Sequence, residues 1–161
     1  MPDAALVALA EQLQARCLER GLTVGAAESC TGGLIAASIT AVPGASGYFL
    51  GAIVSYADDI KAGLLDVPRA TLEAHGAVSA QVARAMAEGC RARLGVALAV
   101  AVTGIAGPDG GTAAKPVGLT YVAMASDGDA DVRRLQLTGD RDAVRHAAAS
   151  EALGWLLEAA S

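Results

Sequence analysis

A chain of 161 residues, 53% of them hydrophobic, with a net charge of −5, is long enough to bury its own core, and one domain over residues 1–161 is expected. No apolar run reaches the roughly 18 residues needed to cross a bilayer, and the first residues lack the basic region of a signal peptide, so a cytoplasmic protein without membrane contact is expected. Scattered basic residues on an acidic chain argue against a nucleic-acid partner, which needs a clustered basic face.

The elements follow in order. Leu6, Leu9, Leu13 and Cys17 recur at helical spacing between Ala4 and Arg20, and Gly21 ends that helix. Leu22 to Glu28 reads as a short buried strand, Thr31 to Thr40 as a helix broken by Val42-Pro43-Gly44, and Gly47 to Tyr56 as a strand. Asp58 to Val67 reads as a short helical turn and exit. Pro68 or Arg69 to His75 and Ser79 to Leu94 are two further helices, the second with Ser79 as its N-cap. Val96 to Gly104 is a continuous apolar run, as in a central strand covered on both faces. Ile105 to Pro116 is a Gly-rich loop, "VGLTYVAMAS" and "DVRRLQLTG" form a hairpin about "DGDA", and a last helix runs from Asp140 to Ala159. The pattern predicts an α/β fold: a single layered α/β/α domain with a mixed sheet.

Three segments carry possible chemistry. In "ESCTGG", a strand ends at Glu28 and a helix begins near Thr31, so Ser29 falls at a junction with free backbone N–H groups, which suits an oxyanion or a phosphate. Gly32 and Gly33 permit close backbone approach. The alternative is ordinary capping by Ser29 or Thr31. Cys30 reads as a small buried thiol. The three cysteines, Cys17, Cys30 and Cys90, are widely spaced beside only two histidines, so a structural zinc site is not expected, and hydrolysis by a hydroxyl–base pair would need neither a metal nor a cofactor.

The second segment is "SYADDIK". Only two of the twelve basic residues are lysines, Lys61 and Lys115. In such an Arg-rich chain, Lys61 is either a residue retained because burial can make it a neutral base, or a solvated lysine left by chance. As a base it requires desolvation, or a geometry that turns Asp58 and Asp59 away. Lys115 reads as a solvated loop residue. The third segment, "TGIAGPDGG", offers the Thr103 hydroxyl and close backbone approach at Gly104, or is a plain Gly-rich turn.

Together, "AAESCTGGLIA", "GAIVSYADDIKAGLLDV" followed by "HGAVS", and "VTGIAGPDGGTAAKPVGLTYVA" resemble the C-terminal domain of the competence-damage-inducible CinA proteins. In stand-alone form that domain is a nicotinamide-nucleotide amidohydrolase, and the lack of a leading molybdopterin-binding-like domain points to that form. The resemblance implies Ser29 as nucleophile, Lys61 as general base and Tyr56 orienting the pair. It implies Thr31, Gly32, Gly33, Thr103, Gly104 and Arg141 as substrate-binding positions, with Arg141 towards the anionic part. Relatives often carry Tyr-Ser-Asn where this chain has Tyr56-Ala57-Asp58, so contacts from the last two positions do not carry over. The implied reaction is hydrolysis of nicotinamide mononucleotide to nicotinate mononucleotide and ammonia, with a homo-oligomer, a dimer above all, as the assembly. The alternatives are a non-catalytic nucleotide- or partner-binding module linked to competence or DNA damage, and an amidase for another pyridine or pterin-like amide.

Overall fold

The computed structural model describes residues 1–161. Its elements are α1 (Ala4–Arg20), β1 (Val24–Glu28), α2 (Leu34–Thr40), a 3-10 turn (Ala45–Gly47), β2 (Phe49–Val54), α3 (Asp58–Leu65), α4 (Arg69–His75), α5 (Ala80–Leu94), β3 (Leu98–Gly104), β4 (Leu119–Ser126), β5 (Asp129–Gln136) and α6 (Arg141–Ala160). No helix is long and apolar enough to cross a membrane.

The five strands form one mixed sheet in the order β2-β1-β3-β4-β5. β1 runs parallel to both β2 and β3, while β3–β4 and β4–β5 are antiparallel. Strand alternation sends successive side chains to opposite faces. Val100 and Val102 of β3 join the core beneath α1, α2 and α6, and Ala99 and Ala101 join the core beneath α5. Both faces are covered, which explains why β1 and β3 carry no polar alternation. The result is the α/β/α layering and mixed sheet expected from the sequence.

The two faces differ in bulk. Leu, Ile and Trp side chains fill the larger core, whereas alanines dominate the sheet's opposite face. That face lets α5 approach closely: a Cβ on Gly25 would lie 2.7 Å from Leu94 Cδ1. Gly89, on α5, has its missing Cβ occupied by the Leu65 carbonyl at the end of α3.

The caps follow local chemistry. Gly21 adopts φ 65° after α1, Ser79 Oγ accepts from Val82 N at 3.2 Å, and Asp140 accepts from Ala143 N at 2.9 Å. Two boundaries depart from the sequence reading. α2 begins at Leu34 rather than near Thr31, because Gly32 and Gly33 take positive φ and turn the chain first. The β4–β5 turn needs only Asp127 and Gly128, and Asp129 and Ala130 already pair in the ladder.

The topology also places the chemistry. β1 and β2 end side by side, with Glu28 opposite Val54, and β3 ends beside β1, with Val102 opposite Glu28. The segments that follow these strands, "SCTGG", "SYADDIK" and "IAGPDGG", therefore emerge along one edge of the sheet, where α/β folds gather their sites.

Candidate active site

Lys61 lies in the first turns of α3, yet its side chain points inward and is only 1% exposed. Its Nζ sits 3.1 Å from Ser29 Oγ, 2.7 Å from the Ser55 carbonyl oxygen and 3.3 Å from the Tyr56 carbonyl oxygen. Burial pulls its pKa below the ordinary lysine value; Asp58 and then Cys30 oppose that shift. Asp59 turns outward to Arg69 at 2.8 Å, and neither Asp58 nor Asp59 forms an ion pair with Lys61.

The carbonyls settle how a neutral amine would sit. It has two hydrogens and one lone pair. The Ser55 and Tyr56 carbonyls can take both hydrogens, which leaves the lone pair for the Ser29 hydroxyl. Once protonated, the ammonium has three donors for the same three oxygens. Both protonation states are satisfied without rearrangement.

Ser29 follows β1, and its N–H donates to the Val102 carbonyl at 3.0 Å, which fixes the Ser29 backbone to β3. It does not cap α2, and neither does Thr31. The cap is Glu28, which is fully buried: its carboxylate accepts from Gly33 N at 3.0 Å, Ile35 N at 3.1 Å and Ala36 N at 2.9 Å. A carboxylate satisfies the orphan donors and the positive helix end better than a hydroxyl. It also corrects the expectation for Gly32 and Gly33. Gly33 N is taken by Glu28 and Gly32 N donates to the Ser29 carbonyl at 3.0 Å, so neither is open to a ligand. The N–H groups left without an acceptor are those of Cys30 and Thr31.

Beside the pair lies a cleft of about 200 Å³. Ser29, Cys30 and Lys61 form its floor, Ala77, Val78 and Ala106 give apolar walls, and Thr103, Gly104, Tyr56 and Arg141 complete it. Thr31, Gly32 and Gly33 do not line it; they build the turn behind it. Thr103 lines it, but its hydroxyl donates to the Ala77 carbonyl at 2.8 Å, joining β3 to the "HGAVS" wall. At Gly104 a Cβ would meet Thr120 Oγ1 at 2.7 Å and Cys30 Sγ at 3.2 Å, so this glycine is needed for packing against β4 and the Ser29–Gly33 turn.

The Tyr56 side chain does not orient the pair. It is 61% exposed, and only its carbonyl reaches Lys61. Its hydroxyl accepts from Arg141 Nη2 at 3.0 Å, while Arg141 Nη1 donates to the Gly107 carbonyl at 2.8 Å. Arg141 therefore spans the cleft mouth from α6. Burial pushes the Cys30 thiol up to about 11, in keeping with a small buried thiol. Lys115 is not freely solvated: its ammonium donates to the His75 carbonyl and ties the Gly-rich loop to the end of α4.

Sequence reasoning missed two residues. Glu28 stood beside Ser29 as an unremarked acid; an acid directly before a glycine turn and an apolar helix is the signal that could have marked it as a cap. Arg145, one turn beyond Arg141 on α6, donates to the Cys30 carbonyl at 3.1 Å and the Thr31 carbonyl at 3.0 Å. Nothing local in the sequence points from it to the Ser29–Gly33 turn. No group of three or more His, Cys, Asp or Glu side chains converges at a spacing suited to a metal.

Comparison with known proteins gives one consistent result. A CinA-like protein of Geobacter sp. (strain M21) is 56% identical over 138 residues, 86% of this chain and 33% of that protein. A CinA-like protein of Gemmatimonas aurantiaca is 47% identical over 94% of this chain and 35% of its own length. The chain thus spans about a third of the curated relatives it matches. Among solved structures, the competence/damage inducible protein CihA from Agrobacterium tumefaciens superposes with a TM-score of 0.94 at 39% identity, covering 98% of this chain and 97% of that one. The competence damage-inducible protein A from Klebsiella pneumoniae gives 0.92 at 33% identity, with 95% of each chain covered. The CinA C-terminal domain profile matches residues 6–160, and the chain belongs to the CinA C-terminal domain family.

Proposed function

We propose that the chain is an amidohydrolase that cleaves the carboxamide of nicotinamide mononucleotide, with Ser29 as nucleophile and Lys61 as general base. The observation that carries the reading is the 3.1 Å approach of a buried lysine amine to a serine hydroxyl, with two carbonyls placed to take the amine's own hydrogens. Amide hydrolysis needs an activated hydroxyl, a base and donors for the developing oxyanion, and a Ser–Lys pair is one variant of that arrangement.

The neutral Lys61 amine takes the Ser29 proton as Oγ attacks the carboxamide carbon. The Cys30 N–H, which has no backbone acceptor and belongs to a residue lining the cleft, is the donor for the oxyanion that forms. The Lys61 ammonium returns the proton to the departing nitrogen, ammonia leaves, and an ester to Ser29 remains. Lys61, neutral again, activates the water that releases nicotinate mononucleotide. Arg141, at the cleft mouth, supplies a cation for the phosphate outside the apolar walls.

The test is ammonia release from nicotinamide mononucleotide compared with free nicotinamide, with Ser29→Ala as the blank. Release from the nucleotide and a loss of about 10⁶ in the variant are expected, the scale seen when a hydrolase nucleophile is removed. Equal turnover by Ser29→Ala, or no release by the parent, would refute the reading. The second outcome would favour a binding module instead.

A further inference from the structure

The turn from Ser29 to Gly33 is held at its far end by the Glu28 carboxylate and, from α6, by Arg145. Arg145 Nε donates to the Cys30 carbonyl at 3.1 Å and Nη2 to the Thr31 carbonyl at 3.0 Å, across more than a hundred residues of chain. Arg145 does not line the cleft. In a trans peptide the C=O and N–H point in opposite directions. Fixing the Cys30 carbonyl therefore aims the Thr31 N–H. Fixing the Thr31 carbonyl aims the Gly32 N–H, which donates to the Ser29 carbonyl at 3.0 Å. That bond in turn fixes the Ser29–Cys30 peptide plane and with it the Cys30 N–H. Within the turn, the N–H groups with no backbone acceptor, those of Cys30 and Thr31, both take their direction from Arg145, and Cys30 is the one that lines the cleft.

We propose that Arg145 is a positioning residue for the reaction: its fork on the Cys30 and Thr31 carbonyls fixes the turn and so pre-aims the Cys30 N–H, the turn's free donor at the cleft, that receives the oxyanion. The inference rests on the amidohydrolase reading. A planar fork spans two successive carbonyls, which the point charge of a lysine does not, so Arg145→Lys should not restore the geometry. Misaimed oxyanion donors weaken the transition state and leave ground-state binding intact.

The experiment is steady-state ammonia release from nicotinamide mononucleotide, against pH, for the parent, Arg145→Ala and Arg145→Lys, with thermal unfolding as the check on folding. In both variants kcat is expected to fall about 10- to 100-fold while KM stays within about twofold. The acidic limb of the profile should not move, because Arg145 does not touch Lys61. Millimolar guanidinium should restore part of the kcat of Arg145→Ala and none of that of Arg145→Lys, whose side chain fills the space. Parent-level kcat in a folded variant overturns the inference alone, as does a raised KM at unchanged kcat or a shifted acidic limb. If Arg145→Ala does not fold, Arg145→Lys decides by the same criteria. Absence of ammonia release by the parent overturns the amidohydrolase reading and this inference together.

Discussion

Replacing Lys61 by Met tests the base assignment through stability, with no substrate present. Lys61 is 1% exposed and its folded pKa lies below the 10.5 of an ordinary lysine, chiefly through desolvation. Above pH 10.5 the amine is neutral in both folded and unfolded chains, and its protonation costs nothing. As the pH falls through 10.5 the unfolded chain takes up a proton that the folded chain refuses, so the parent loses stability. The loss stops growing at the folded pKa, below which both states are protonated. Within that window the slope approaches 2.303RT, about 1.4 kcal/mol per pH unit. Lys61→Met has no amine and should lack this slope. The variant also strands the Ser55 and Tyr56 carbonyls, a cost of about 1–3 kcal/mol that does not vary with pH. The slope, and not the offset, is therefore the quantity to read. Denaturant unfolding of both proteins at pH 7 to 10.5 gives it, provided the denaturant m-value is the same for each. The difference between parent and variant should shift in the variant's favour as the pH falls from 10.5, then level off. Parallel curves throughout would mean that the folded lysine titrates as an ordinary one, and the base assignment would lose its physical footing.

Other perturbations separate the remaining roles. Tyr56→Phe removes only the hydroxyl that accepts from Arg141, so kcat should change little; a loss of about 10³ or more would restore the tyrosine side chain to the chemistry. Arg141→Ala should raise KM strongly with a smaller effect on kcat, as measured by initial rates with nicotinamide mononucleotide. Glu28→Gln loses the buried charge that accepts from the Gly33, Ile35 and Ala36 amides at the start of α2 and should cost about 2 kcal/mol in denaturant unfolding, with slower turnover because the turn carrying Ser29 follows directly from it. Gly89→Ala forces α5 off the Leu65 carbonyl and should cost about 1–3 kcal/mol or more, read as a lowered melting temperature.

The sequence by itself determined what depends on neighbours along the chain. α1, α5 and α6 follow from apolar residues three and four apart, bounded by Gly21, Ser79 and Asp140. β3 follows from its unbroken apolar run, which only a strand covered on both faces can carry. The pairing of Ser29 with Lys61 was reached from the scarcity of lysine and the family motifs, and the sheet order then gave it a distance. What the tertiary structure alone decided concerns partners that are remote or compete for the same groups. Ser29, Thr31 and Glu28 all stand where they could close the end of α2; the charged acceptor, folded back from the strand end, takes three amides and leaves the serine free. Tyr56 and Lys61 are five residues apart on one short segment, yet the strand end and first turn of α3 send one side chain to solvent and the other inward. Arg145 meets the Ser29–Gly33 turn only because α6 packs across α2, β3 and β4, a juxtaposition of elements from opposite ends of the chain. Helical and strand periodicity encode which face is buried; they do not encode which remote group that face will meet, and the turn from Ser29 to Gly33 is built from such meetings.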